Sequence, residues 1–168
     1  MKAAGALIGI VAALALQTTL DRFLGGSAVG VDLVLVAVVY IALISGPVGG
    51  MFAGSLAGLV QDALTSGIIG IGGLAKAIVG FFAGAVGQQF IVTAALPRLV
   101  MFAAATVVHA LVFMGLYVVL NLRTFHSPWR TILAQALANA LVGMIAFMVI
   151  EAVPGLVERR RMARRGRH

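Results

Sequence analysis

Apolar stretches separated by short polar or glycine- and proline-rich breaks run the length of this chain. A helix that crosses the roughly 30 Å hydrocarbon core of a bilayer needs about 20 predominantly apolar residues. Six stretches fit: residues 3–20, 28–45, 48–64, 68–96, 99–120 and 131–153. The breaks between them are Asp21-Arg22 with Gly25-Gly26-Ser27, then Gly46-Pro47, Thr65-Ser66-Gly67, Pro97-Arg98 and the polar run 121–130, with Pro154-Gly155 closing the last stretch. Proline can kink a helix without ending it. However, an unbroken helix over residues 28–64 would be about 55 Å long, nearly twice the core thickness. The pattern therefore predicts a tight hairpin at Gly46-Pro47. No sustained alternation supports strands, and a small membrane barrel would need a polar or packed lumen face.

Composition agrees. Hydrophobic residues make up 62% of the 168 positions and charged residues 10%, with a mean hydropathy of +1.13. A soluble domain carries about 25% charged residues, so this chain cannot build a water-exposed surface. Between Phe23 and Leu122 the only formal charges are Asp32, Asp62, Lys76 and Arg98. The net charge of +7 resides largely in the tail, where Arg159, Arg160, Arg161, Arg164, Arg165 and Arg167 follow the last span. There is no cysteine, which excludes disulfides and thiolate metal sites. The expected division is a six-helix transmembrane domain over residues 1–155 and a basic tail over 156–168. Lys2, the apolar run after it and Ala13-Leu14-Ala15 would also admit a cleaved signal peptide. The multi-spanning pattern of the remainder keeps that segment as the first span.

Lysine and arginine bias sets orientation. With six spans, one side holds Lys2, Arg98 and the six tail arginines, and the other holds Arg22, Arg123 and Arg130. Both termini are expected to be cytoplasmic. Basic tails can bind nucleic acid, but this one lacks interleaved aromatic residues and directly follows a span. Anionic lipid head groups are the expected contact, worth roughly 1 kcal/mol per arginine, with a cytoplasmic protein the alternative.

The most specific local pattern is Gly46, Gly50, Gly54, Gly58 and Asp62, at strict four-residue spacing, answered by Gly72, Lys76, Gly80, Gly84 and Gln88. Residues four apart share one helix face, and small residues let membrane helices approach closely. The two series mirror each other about residue 69. They predict an antiparallel hairpin in which Asp62 meets Lys76, Gly58 meets Gly80 and Gly54 meets Gly84. The Asp62–Lys76 pair reads either as a proton or ion relay or as a structural pair near the interface with a snorkelling lysine. The structural reading is the simpler one.

His109 lies mid-span, and Gln135 and Asn139 share a face of the last span, either lining a polar pocket or satisfying one another in packing. His109, His126 and His168 lack metal-ligand spacing, and Glu151 closes the last span. No phosphate-binding loop, zinc-protease, serine-hydrolase or paired-carboxylate motif occurs. No enzyme, metal or cofactor is expected.

Several fragments taken together resemble the rod shape-determining MreD family. They are Val31-Asp32-Leu33-Val34-Leu35, the glycine series 46–58, Gly58-Leu59-Val60-Gln61-Asp62-Ala63-Leu64, Ser66-Gly67-Ile68-Ile69-Gly70-Ile71, and Leu74-Ala75-Lys76-Ala77-Ile78-Val79-Gly80. The resemblance is strongest over residues 28–90. Val31 departs from it, since the family usually has proline there, while Asp32 keeps the carboxylate that complements a helix N-terminus. The resemblance implies a non-enzymatic subunit of the bacterial elongation machinery in the cytoplasmic membrane. Its implied associates are an MreC-like single-span protein, an MreB-like filament and the peptidoglycan glycosyltransferase–transpeptidase pair, with no nucleic acid. It also implies a fold similar to the vitamin-binding S components of energy-coupling-factor transporters, so a transport subunit is the alternative function. The alanine pair at four-residue spacing that S components carry in their first helix is missing here. The candidates for structural or partner contacts are Asp32, Gly50, Gly54, Gly58, Asp62, Lys76, Gly80 and Gly84.

Overall fold

The computed structural model describes residues 3–23, 30–65, 68–89, 94–122 and 128–165, with side chains as far as Glu151. Lys2, Gly25 to Ala28, Ser66-Gly67, Arg123, His126, His168 and the tail arginine side chains, all used in the reading above, lie outside that description. Among the described residues every element is a helix: α1 (Ala3–Phe23), α2 (Leu33–Leu64), α3 (Ile71–Gln89), α4 (Ala95–Val119) and α5 (Trp129–Arg165). All five are long and apolar enough to cross a membrane, α5 over Trp129–Glu151.

The count is five where six were expected, because the second and third expected spans are one element, α2. It is broken at Gly46, whose φ of +80° and ψ of −175° no helix contains, with Pro47 directly after it. The break folds the chain back on itself. The Ala42 side chain stands 2.6 Å from where a Gly50 β-carbon would be, although eight helical residues would separate them by about 12 Å. Likewise Lys76 touches Gly54 through its backbone and Asp32 through its side chain. A straight α2 would hold residues 32 and 54 about 33 Å apart. The first arm is short: residues 33–45 rise only about 20 Å, less than the hydrocarbon thickness. It starts at Leu33 and not at residue 28 because the Asp32 carboxylate accepts from Leu35 N at 2.8 Å and caps it there.

Three other boundaries move for identifiable reasons. The expected span 68–96 is α3, which ends at Gln89, and α4 already begins at Ala95. Pro97, read as a break, sits in the first turn of α4, where its missing N–H would have no intrahelical partner. Pro154 was expected to end the last helix, yet α5 continues to Arg165.

Two apolar clusters hold the bundle. Leu35, Val36, Val39 and Ala42 from the first arm of α2 meet Val79 and Ala83 of α3, Phe102 and Ala105 of α4, and Ala140 and Phe147 of α5. Ile10 and Leu14 of α1 meet Val34, Val38 and Ile41 from the first arm and Ala53 and Ala57 from the second. Among the described helices α1 packs only on α2.

Candidate functional site: a glycine seam and a buried polar cluster

The second arm of α2 and α3 run antiparallel along their glycine faces. Gly46 lies on Gly84, Gly50 on Gly80, Gly54 on the Lys76 backbone, and Gly58 on Gly72 and Gly73. At the centre the contact is reciprocal. The Gly80 carbonyl oxygen occupies the place of a Gly50 β-carbon, and the Gly50 carbonyl oxygen that of a Gly80 β-carbon. A glycine α-hydrogen points there instead, giving paired weak Cα–H···O contacts. Any side chain would push the backbones apart.

The two series meet, but not in the expected register. Gly58 was expected on Gly80 and Gly54 on Gly84; each partner lies eight residues earlier in α3, a little over two turns. The mirror centre is residue 65 and not 69, because α2 runs on to Leu64 beyond the level at which α3 begins. Asp62 therefore hangs over the open end of α3, and its Oδ2 accepts from Gly70 N, Gly72 N and Gly73 N at 2.9, 3.0 and 3.2 Å. Unpaired N–H groups and the positive end of the helix dipole both favour a carboxylate at that position. The expected Asp62–Lys76 pair is thus corrected: backbone amides satisfy Asp62.

Lys76 turns to the start of α2. Its Nζ lies 2.7 Å from Asp32 Oδ2 and 3.2 Å from His109 Nε2, and the lysine is 3% exposed. All five helices contribute polar groups here. Asn139 of α5, fully buried, accepts at Oδ1 from Asp32 N (2.9 Å) and donates from Nδ2 to Thr106 Oγ1 of α4 (3.1 Å). Gln17 of α1 accepts from Leu33 N at 2.9 Å. Gln135, expected beside Asn139, is half-buried one turn away near Gly30. Thr106 and Gln17 escaped the sequence reading. Thr106 was detectable, since it lies three residues before His109 and hence on the same face. Gln17 gave no signal, because its partner is a backbone amide.

A model of the family described as rod shape-determining protein MreD matches residues 5–152. The chain belongs to the MreD family. No curated protein and no solved structure matches it, so the expected likeness to energy-coupling-factor S components gains no support from them.

The described residues of the fragments that carried the MreD resemblance now have positions. Asp32, Asp62 and Lys76 each anchor a helix end or a helix contact, and Asp62 binds Gly70, the last glycine of the S-G-x-x-G fragment. A second ion pair lies at the opposite end of the bundle. There Arg98 near the start of α4 makes a bidentate contact with Glu151 at 2.7 and 3.0 Å, with its guanidinium 3.7 Å from the Phe147 ring centre. No group of three His, Cys, Asp or Glu among the described residues could hold a metal ion. Chemically, the cluster stores charge in an apolar interior and pins five helices to one point.

Proposed function

We infer that this member of the MreD family is a multi-pass membrane protein with a role in rod shape determination. We propose that it acts without catalysis, as a subunit that organises the elongation complex in the bacterial cytoplasmic membrane. It binds an MreC-like single-span protein and, through it or directly, the MreB-like filament and the side-wall peptidoglycan synthase pair. The observation that carries this reading is the family match over nearly the whole bundle. The geometry supports it: the charged and polar groups of the cluster bond to one another inside the protein, while large apolar side chains cover its outer faces. A purification in mild detergent from cells that depend on the tagged chain for rod shape tests it. The MreC-like protein should accompany it; rod-shaped cells in which no elongation protein does so would defeat the scaffold reading.

Both termini are placed in the cytoplasm. The fold-back of α2 returns the chain to the side it left, however deep the short first arm reaches, so α1, α3, α4 and α5 are four further crossings and the ends share a side. The basic residues select the cytoplasmic side. Beyond Glu151 the helix continues to Arg165, and anionic lipid is the contact proposed for the arginines of this segment. A cysteine at Ser127 should react with an impermeant reagent from outside intact cells and one at Arg164 should not. The reverse result would invert the topology.

A further inference from the structure

We propose that Asp32, Lys76 and His109 form a proton-sensitive latch that fastens the first arm of α2 to α3 and α4 and loosens on acidification. The argument rests on what each group can give. A lysine ammonium has three donors and no lone pair, so a nitrogen 3.2 Å from it has to accept. His109 therefore presents a bare Nε2, with its single ring proton on Nδ1.

The one carboxylate present is already committed. Asp32 Oδ2 holds Lys76, and Oδ1 accepts from Leu35 N. A second proton on His109 would remove the only acceptor it offers and set two cations against each other beside a single carboxylate, away from water. An uncompensated buried charge is costly, and the structure relieves it by separating the groups. Because Asp32 is also the N-cap of α2, separation releases the start of that helix.

Among the described residues nothing else around the imidazole would take up the charge. Lys76 faces it from α3 and Asp32 from the start of α2. At this level α5 supplies Asn139 and Gln135, which do not titrate, and α4 supplies Thr106 and the stacked Phe113 ring, 5.8 Å away between centres. Along α4, Tyr117 is eight residues further on, and the Arg98–Glu151 pair sits eleven residues back, about 16 Å along the axis. The cluster balances with His109 neutral and carries one excess charge when it is protonated.

The test uses the full chain in phospholipid nanodiscs with His126→Asn and His168→Asn, which leave His109 as the sole imidazole. Nitrogen-15 spectra at pH 7.5 should show an unprotonated, hydrogen-bonded Nε2 and a protonated Nδ1; an imidazolium or an Nε2–H tautomer overturns the proposal. Between pH 8 and pH 5 the melting temperature should fall by about 3 °C or more, because the unfolded chain takes up a proton that the ring cannot hold while the latch is closed. His109→Gln, whose amide oxygen can still accept from Lys76 but does not titrate, should abolish that fall. An undiminished fall in this variant overturns the latch. If His109→Gln does not fold, the ring itself decides: an imidazole that takes up a proton between pH 8 and pH 5 with no change in the melting temperature is equally fatal.

Discussion

Glycine recurs at four-residue spacing on two faces of this protein, and the faces differ in what they meet. Along the seam of α2 and α3 every glycine from Gly46 to Gly58 has another backbone or side chain where its β-carbon would stand. On α1, Gly5 and Gly9 have nothing within 4 Å of that point. They border an open apolar groove of about 480 Å³ between α1 and α5. Accordingly, 56% of the spanning stretch of α3 is buried and only 11% of that of α1. Spacing alone does not separate these cases. What separates them is a second stripe at the same pitch and, beside it, a buried polar cluster that ties the paired helices to their neighbours. Small residues permit close approach; something else has to hold the helices there.

The largest expected effect tests that holding. Lys76→Met leaves the Asp32 carboxylate buried without its cation, and removing one member of a buried pair costs on the order of 3–5 kcal/mol. Adding Asp32→Asn should recover much of the loss, because asparagine caps a helix about as well as aspartate and no charge is left stranded. Unfolding in detergent for the two single variants and the double variant checks this. If the double variant were as unstable as the sum of the singles, the pair would not be coupled, and the seam would owe its order to glycine alone.

That pair also marks where the sequence stopped being legible. Hydropathy located the apolar helices, although it took α2 for two spans and ran the span 68–96 past the end of α3 at Gln89, and the matched stripes identified which two faces meet. The register was not available, because it depends on how far α2 overruns the start of α3. That overrun lies in a connection whose length in residues does not reveal its path. An error of eight residues gave Asp62 the wrong partner and left Lys76 unmatched with Asp32, 44 positions away in sequence. Gln17 and the Asn139 contact to Asp32 N were invisible for a related reason: a side chain that serves a backbone amide leaves no complementary residue to find.

Next in size are substitutions in the seam itself. In Gly54→Ala the added methyl would collide with the Lys76 carbonyl, and in Gly50→Ala with that of Gly80. Neither obstacle is a side chain that can rotate away, so each should cost about 1–3 kcal/mol, and Gly58→Leu more. The yield and melting temperature of folded protein measure it. A seam that tolerated all three without loss would not be in backbone contact.

The smallest effect sharpens the comparison most, because it applies the same chemical change to the other face. Gly9→Ala adds a methyl where nothing stands within 4 Å, so the steric term vanishes and only the backbone term remains. Inside a helix that term favours alanine by roughly 0.5–1 kcal/mol, since glycine loses more conformational freedom on folding. Gly9→Ala and Gly5→Ala should therefore leave the melting temperature unchanged or slightly raised, while Gly54→Ala lowers it. The opposite sign for one substitution in two helices of one protein can come only from what lies across from the glycine. If Gly9→Ala destabilised the purified protein as much as Gly54→Ala, α1 would have to pack on more than α2, and the open groove beside it would be closed in solution.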